Sequence, residues 1–330
     1  AEGAAGGAAG SAAGPTVRLI GTGWARTGTT SIRKALERQL KIPANKIYHM
    51  GTVMKNPDIQ SPKWMEIYDE HAAGRPVAHL FRRLFQGYHF ICDWPVSAWW
   101  REILDAFPEA KVIHTSRSAE AWYNSTSLTM FKYVKYIQTN DVEPLREIEA
   151  TIMGNKSILD WVDFKKGQPL RQGHQDYGKM MQHAVWDRLF GAGVDPSNAS
   201  NRKLVARAFG EHDRQVREAL DGDRRLLVFR PTDGWPPLCA HLELKTCPDA
   251  PWPHSHSVFD FIRVTFSKIL NRRLRPPDHA AAPGLRLLVT GLARTGAGHG
   301  VFEGAARQVA VGQLFAGLRH GQIGRSGREA

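Results

Sequence analysis

Nowhere does the sequence stay apolar for the roughly 20 residues a helix needs to cross a bilayer, so no membrane span is expected. Cysteine is scarce, with three among 330 residues: Cys92, Cys239 and Cys247. An odd number without metal-ligand spacing argues against a disulfide framework and against a zinc site. A reducing, cytoplasmic setting is therefore expected, with no bound metal. A basic leader followed by an apolar core is also missing, and the opening AEGAAGGAAGSAAG reads as a flexible linker. Nor is the chain poor in hydrophobic residues, which make up 42% against 23% charged. That balance excludes disorder throughout and suffices for one large α/β domain with a full core.

Charge is the first positive signal. A formal net charge of +12 points to an anionic partner. Yet residues 271–330 hold nine Arg against three acids, which is half of that excess. The rest is ordinary for a protein that binds one multiply charged anion in a cleft. No aromatic-basic interleaving supports a nucleic-acid partner.

Short apolar runs alternate with helical patterns. TVRLIG reads as a strand, and SIRKALERQL follows with Ile32, Leu36 and Leu40 on one helical face. Further strands are expected at YHFIC, AKVIHTS and RRLLVF, each beside a helical stretch. Such alternation predicts an α/β fold of three α/β/α layers around a central parallel sheet. Residues 131–200 read as helices and loops laid over that sheet. The domain is expected at 17–270, after a flexible segment at 1–16 and before a basic tail at 271–330. In the tail, LRLLVTGLARTGAG from Leu285 matches VRLIGTGWARTGTT from Val17 at eight of fourteen positions. Only 32 residues follow it, too few for a second domain, so it reads as a truncated or degenerate copy.

The loop after the first strand is GTGWARTGTTS, Gly21 to Ser31. Glycines let a backbone close as a ring of amides around a phosphate, and the following helix adds its positive end. Gly23, Gly28 and the hydroxyl of Thr30 match the P-loop spacing, but Thr29 stands at the lysine position. The dinucleotide fingerprint fails as well, because Arg26 stands where its third glycine belongs. Thr30 or Ser31 is positioned to cap the helix.

RTGTTS after a first strand resembles the 5′-phosphosulfate loop of the sulfotransferases, with Arg26 in place of the usual lysine and Thr27 in place of the serine. YHM at Tyr48, DWP at Asp93 and GWPPLC at Gly234 follow in the order found in one branch of that family. The likeness covers about Val17 to Pro253. It implies a P-loop-like sulfotransferase fold with 3′-phosphoadenosine 5′-phosphosulfate (PAPS) as the sulfuryl donor and a small-molecule hydroxyl or amine acceptor. Charge develops on the departing 5′-phosphate in that reaction, which calls for a cation and amide donors. Arg26, Thr27, Gly28, Thr29, Thr30 and Ser31 are the expected cradle.

PAPS carries a second phosphate at the 3′ position. KVIHTSRSAEAWYNS offers Arg117 just past a strand and Ser125 two turns along a helix, which is the family's 3′-phosphate spacing. An Arg near a helix N-terminus is electrostatically unfavourable without an anion beside it. Ser116 is a further donor candidate, and Trp122 is either an adenine platform or core. For the base that takes the acceptor proton, the candidates are Asp93 and His49, with Asp93 alternatively a helix cap. Trp94, Trp99, Trp100 and Tyr133 are candidates for an acceptor wall, although several must be core. His114, inside a strand, reads as buried structure. His254 and His256 in PHSH are too few for a metal site, and the NST at Asn124 falls on a helix. Two other readings remain open: a P-loop kinase or NTPase, and a non-catalytic nucleotide-binding remnant.

Overall fold

The computed structural model describes residues 16–153, 170–253 and 261. The chain separates into two compact units, residues 1–156 with 165–258, and residues 157–164 with 259–330. Every element named below lies in the first. The copy at Leu285, His254, His256 and the basic tail lie outside the described residues, as does most of the opening segment.

In chain order the elements begin with β1 (Leu19–Gly21), α1 (Thr29–Arg38), β2 (Ile47–Tyr48), α2 (Met50–Lys55), α3 (Pro57–Ala72) and α4 (Ala78–Leu84). There follow β3 (Phe90–Ile91), α5 (Trp100–Ala106), β4 (Lys111–Thr115), α6 (Ala119–Thr126), α7 (Lys132–Thr139) and α8 (Glu143–Met153). The series closes with α9 (Gln172–Met180), α10 (Arg188–Phe190), α11 (Arg202–Ala219), β5 (Leu226–Phe229) and α12 (Trp235–His241). Among the described residues the five strands are all parallel, in the order β2-β3-β1-β4-β5. The four strands expected from sequence are present, and the fifth, β2, is only two residues long and gave no periodicity to read.

Parallel strands bury both faces, and β4 shows how this is done. Ile113 packs with Ile32, Ala35 and Leu36 of α1 and with Trp235 and Leu238 of α12. Its neighbour Val112 points the other way, against Trp100 of α5 and Val216 of α11. Successive side chains thus face opposite helical layers, and each aliphatic side chain buried in this way contributes about 1.5–3 kcal/mol. The result is a three-layer α/β/α domain.

Strand order fixes where a ligand can enter. The chain leaves β1 for β2 and β3 on one side, then crosses β1 to reach β4 and β5 on the other. Such a reversal opens a crevice at the carboxyl ends of the strands. Register aligns those ends, with Ile20 opposite both Ile91 and Val112. The segments leaving β1, β2, β3 and β4 therefore emerge along one edge, and they carry Gly23–Ser31, His49, Asp93 and Arg117.

One expectation from composition is corrected here. Cys239 and Cys247 are joined by a disulfide, with Cα atoms 5.6 Å apart. The odd count misled because Cys92 is buried by itself, while the chain leaving α12 doubles back over eight residues to within bridging distance.

Candidate active site

The loop from Thr22 to Gly28 is shaped by two glycines. A Cβ on Gly23 would lie 1.9 Å from Thr115 Oγ1 and 2.5 Å from the Thr115 carbonyl oxygen, so the loop can cross the end of β4 only without a side chain there. Gly28 has φ +110, and a Cβ on it would meet Pro231 Cγ at 2.4 Å. Both therefore have to be glycine. Thr27 Oγ1 donates to the Trp24 carbonyl at 2.7 Å and lies 2.5 Å from Thr115 Oγ1, which ties the loop to itself and to β4.

Gly28 is the N-cap of α1, and no side chain caps the helix. The expected cap at Thr30 or Ser31 is thus corrected, since both residues lie inside the first turn. Thr29, Thr30 and Ser31 are buried at this helix start, whose amides make a partial positive charge.

The two expected anion arms meet. Arg26 sits in the left-handed backbone region at φ 71, and its Nε donates to Ser125 Oγ at 3.1 Å. Arg117 donates from a guanidinium nitrogen to the Arg26 carbonyl oxygen at 2.9 Å. A residue from the 5′ arm and two from the 3′ arm therefore form one connected group, although about a hundred residues separate them in sequence. Trp122 is core, and the adenine platform is corrected: it is fully buried, donates its Nε1–H to the Ala25 carbonyl at 2.9 Å and stacks on Phe209 at 4.5 Å. Ser116 donates inward to Asp213 at 2.5 Å, so its proton is not directed at the crevice.

The two candidate bases are also neighbours. His49 caps α2, its Nδ1 accepting the Gly51 N–H at 3.2 Å. The ring proton therefore sits on Nε2, which donates to Asp93 Oδ2 at 2.9 Å. Thr30 Oγ1 lies 3.4 Å from the same nitrogen and joins the pair to the loop. Asp93 Oδ1 accepts the N–H of Trp94 at 2.9 Å. Like Arg26, Asp93 is in the left-handed region, at φ 73. Its side chain is 6% exposed and that of His49 12%. Asp93 is not a side-chain helix cap; its carbonyl oxygen accepts the Ser97 N–H instead.

Sequence reasoning missed Tyr177 of α9. Burial pushes its hydroxyl well up, and the charges of Tyr133 and Asp93 add to the effect. The hydroxyl approaches Met50 Sδ at 3.5 Å. The Tyr177 ring lies 6.3 Å from that of Tyr133, which the sequence had offered for the acceptor wall, whereas no motif marks Tyr177. Trp94, Trp99 and Trp100 are core: all are buried, Trp99 donating to the Ala184 carbonyl at 2.8 Å.

Beneath the loop lies a polar cluster. His114 Nδ1 is 2.9 Å from Thr22 Oγ1, and His114 Nε2 is 3.0 Å from Asp213 Oδ1. His212 Nε2 donates to the Thr22 carbonyl at 2.8 Å, and burial, reinforced by the neighbouring His114, pulls His212 down to about 3. No group of three or more His, Cys, Asp or Glu that could hold a metal occurs among the described residues. No helix among them is long and apolar enough to cross a membrane.

The chain is similar to known proteins over this same region. The sulfotransferase domain family matches residues 18–261. Ava biosynthesis cluster protein M of Aspergillus versicolor is 26% identical over 241 residues, covering 72% of this chain and 80% of that protein.

Proposed function

The chain belongs to the sulfotransferase domain family, and from that premise we propose that it moves a sulfuryl group from PAPS to a hydroxyl or amine on a small-molecule acceptor. The observation that carries this reading is the joining of Arg26, Arg117 and Ser125 at one sheet edge beside the start of α1. Two guanidinium groups beside the uncapped start of a helix suit a ligand with two separate anionic groups. The name of the Aspergillus relative, a biosynthesis cluster protein, accords with a small-molecule acceptor.

Bound PAPS supplies the transferable sulfuryl group. Arg26 and the start of α1, with the amides and hydroxyls of Thr29 and Thr30 beside Gly28 and Ser31, hold its 5′ end and stabilise charge gathering on the departing phosphate. Thr27, whose amide and hydroxyl both donate to the Trp24 carbonyl, fixes the shape of that loop. Arg117 and Ser125 hold the 3′-phosphate. Asp93 accepts the acceptor proton, and His49, donating from Nε2, keeps that carboxylate aimed. The acceptor oxygen or nitrogen bonds to sulfur as the bond from sulfur to the 5′-phosphate oxygen breaks. The electron pair stays on that phosphate, and adenosine 3′,5′-bisphosphate leaves.

The test is thermal unfolding with adenosine 3′,5′-bisphosphate, with AMP, and with ATP plus magnesium. A ligand that binds only the folded chain raises the midpoint, by roughly several degrees when present far above its Kd. A rise specific to the bisphosphate, lost in Arg117→Ala, supports the reading and calls for an acceptor screen with PAPS. A rise with ATP and magnesium alone replaces it with a kinase or NTPase. No rise with any of them leaves a non-binding remnant.

A further inference from the structure

Asp213 lies on α11, outside the loops that carry Arg26 and Arg117, yet three side chains, two from the end of β4 and one from α11 itself, donate to it. Ser116 Oγ donates at 2.5 Å and His114 Nε2 at 3.0 Å, both to Oδ1. Arg217 Nε donates to Oδ2 at 2.7 Å. Burial by itself would raise this carboxyl, but the hydrogen bonds from His114, Arg217 and Ser116 outweigh it and hold the group below the ordinary carboxylate range. An ionised carboxylate only accepts, which fixes the direction of the whole cluster. With its proton on Nε2, His114 accepts at Nδ1 from the hydroxyl of Thr22.

Thr22 and Ser116 stand at decisive points. Thr22 is where β1 turns into the phosphate loop, and its amide, carbonyl and hydroxyl are held by Ile113, His212 and His114. Ser116 is the residue before Arg117, and its amide is held by the Phe229 carbonyl. The same helix carries Phe209, stacked on Trp122 of α6, the helix that bears Ser125.

We propose that Asp213 is a positioning residue that sets the two anion arms in register, the 5′ loop through His114 and Thr22 and the 3′ arm through Ser116. The proposal rests on the sulfotransferase reading for the identity of the ligand. It makes the two arms separable by substitution: Ser116 serves only the 3′ arm, whereas Asp213 serves both.

The experiment is calorimetric measurement of Kd for adenosine 3′,5′-bisphosphate and for AMP, which lacks the 3′-phosphate. The full chain is compared with Ser116→Ala, Asp213→Asn, Arg117→Ala and the double variant Asp213→Asn/Arg117→Ala. Ser116→Ala is expected to weaken the bisphosphate about tenfold and to leave AMP within about twofold, on the scale of one lost charge-assisted hydrogen bond. Asp213→Asn is expected to weaken both ligands. Its effect on the bisphosphate should be less than additive with Arg117→Ala, because part of that effect runs through the 3′ arm to which Arg117 belongs. Folding of each variant is checked by its unfolding midpoint, and Ser116→Ala carries the test if Asp213→Asn fails to fold. A folded Ser116→Ala with wild-type preference for the bisphosphate over AMP, a folded Asp213→Asn that leaves the Kd of either ligand at its wild-type value, or an additive double variant overturns the proposal and leaves the sulfotransferase reading standing. A wild-type chain that binds no bisphosphate overturns both.

Discussion

The glycine loop after β1 and the His49–Asp93 pair lie along one sheet edge, yet they are built in opposite ways. The loop works through its backbone. Its path depends on Gly23 and Gly28, which admit conformations and approaches closed to other residues, and Thr27 ties the turn to Thr115. The pair works through side chains brought from two strand ends, and its geometry depends on β2 lying next to β3. The same contrast runs through the strain each part carries. Arg26 and Asp93 both sit at positive φ without being glycine, a cost of about 1–2 kcal/mol each. In the loop the Arg26 carbonyl is held by Arg117; in the pair the Asp93 carboxylate is held by His49 and the Trp94 amide. A backbone device tolerates changes of side chain but not of glycine, whereas a side-chain device responds to a single atom.

Substitutions can separate the two parts. Asp93→Asn removes the carboxylate proposed as proton acceptor and keeps the shape. It is expected to lower kcat for sulfuryl transfer from PAPS by about 1,000-fold and to leave the Kd for adenosine 3′,5′-bisphosphate within about twofold; an equal loss in both would place Asp93 in the donor cradle instead. Gly23→Ala is the converse, because its Cβ would overlap Thr115. An expected drop in bisphosphate affinity of about 100-fold corresponds to the 2–3 kcal/mol typical of such backbone strain, and calorimetry showing wild-type affinity would refute the steric account of the loop.

The smallest effect per step concerns the root of the loop. His212, pulled down to about 3 by burial, stays neutral in the folded chain while an unfolded histidine near 6.5 takes up a proton. Stability should therefore fall as pH drops from about 6.5 towards 3, by about 1.4 kcal/mol per pH unit. Denaturant unfolding across that range should show the slope, and His212→Gln, which keeps a donor for the Thr22 carbonyl, should flatten it. A slope unchanged in the variant would assign the acid sensitivity to another group.

The loop was legible in the sequence for a physical reason. Hydrogen bonding by a turn to an anion is local chemistry, so glycine spacing, the following helix and the preceding strand all fall within about fifteen residues. The parallel sheet was legible too, since apolar runs such as KVIHT and LLVF state their own burial. Other features had no local signature. β2 pairs only two residues, Trp122 gave no sign whether its ring met a ligand or Phe209, and the Cys239–Cys247 bridge depended on how the chain leaves α12.

What the sequence determined by itself is a parallel α/β sheet, the glycine loop at one of its edges and the list of residue types available there. Tertiary structure decided which of those residues act together. Strand order brought His49 to Asp93, the crossing at β1 brought Arg117 and Ser125 to Arg26, and the packing of α11 brought Asp213 beneath both arms. Hydrogen bonds between side chains require approach to about 3 Å, and for residues separated by some forty to two hundred positions only the folded sheet supplies that approach.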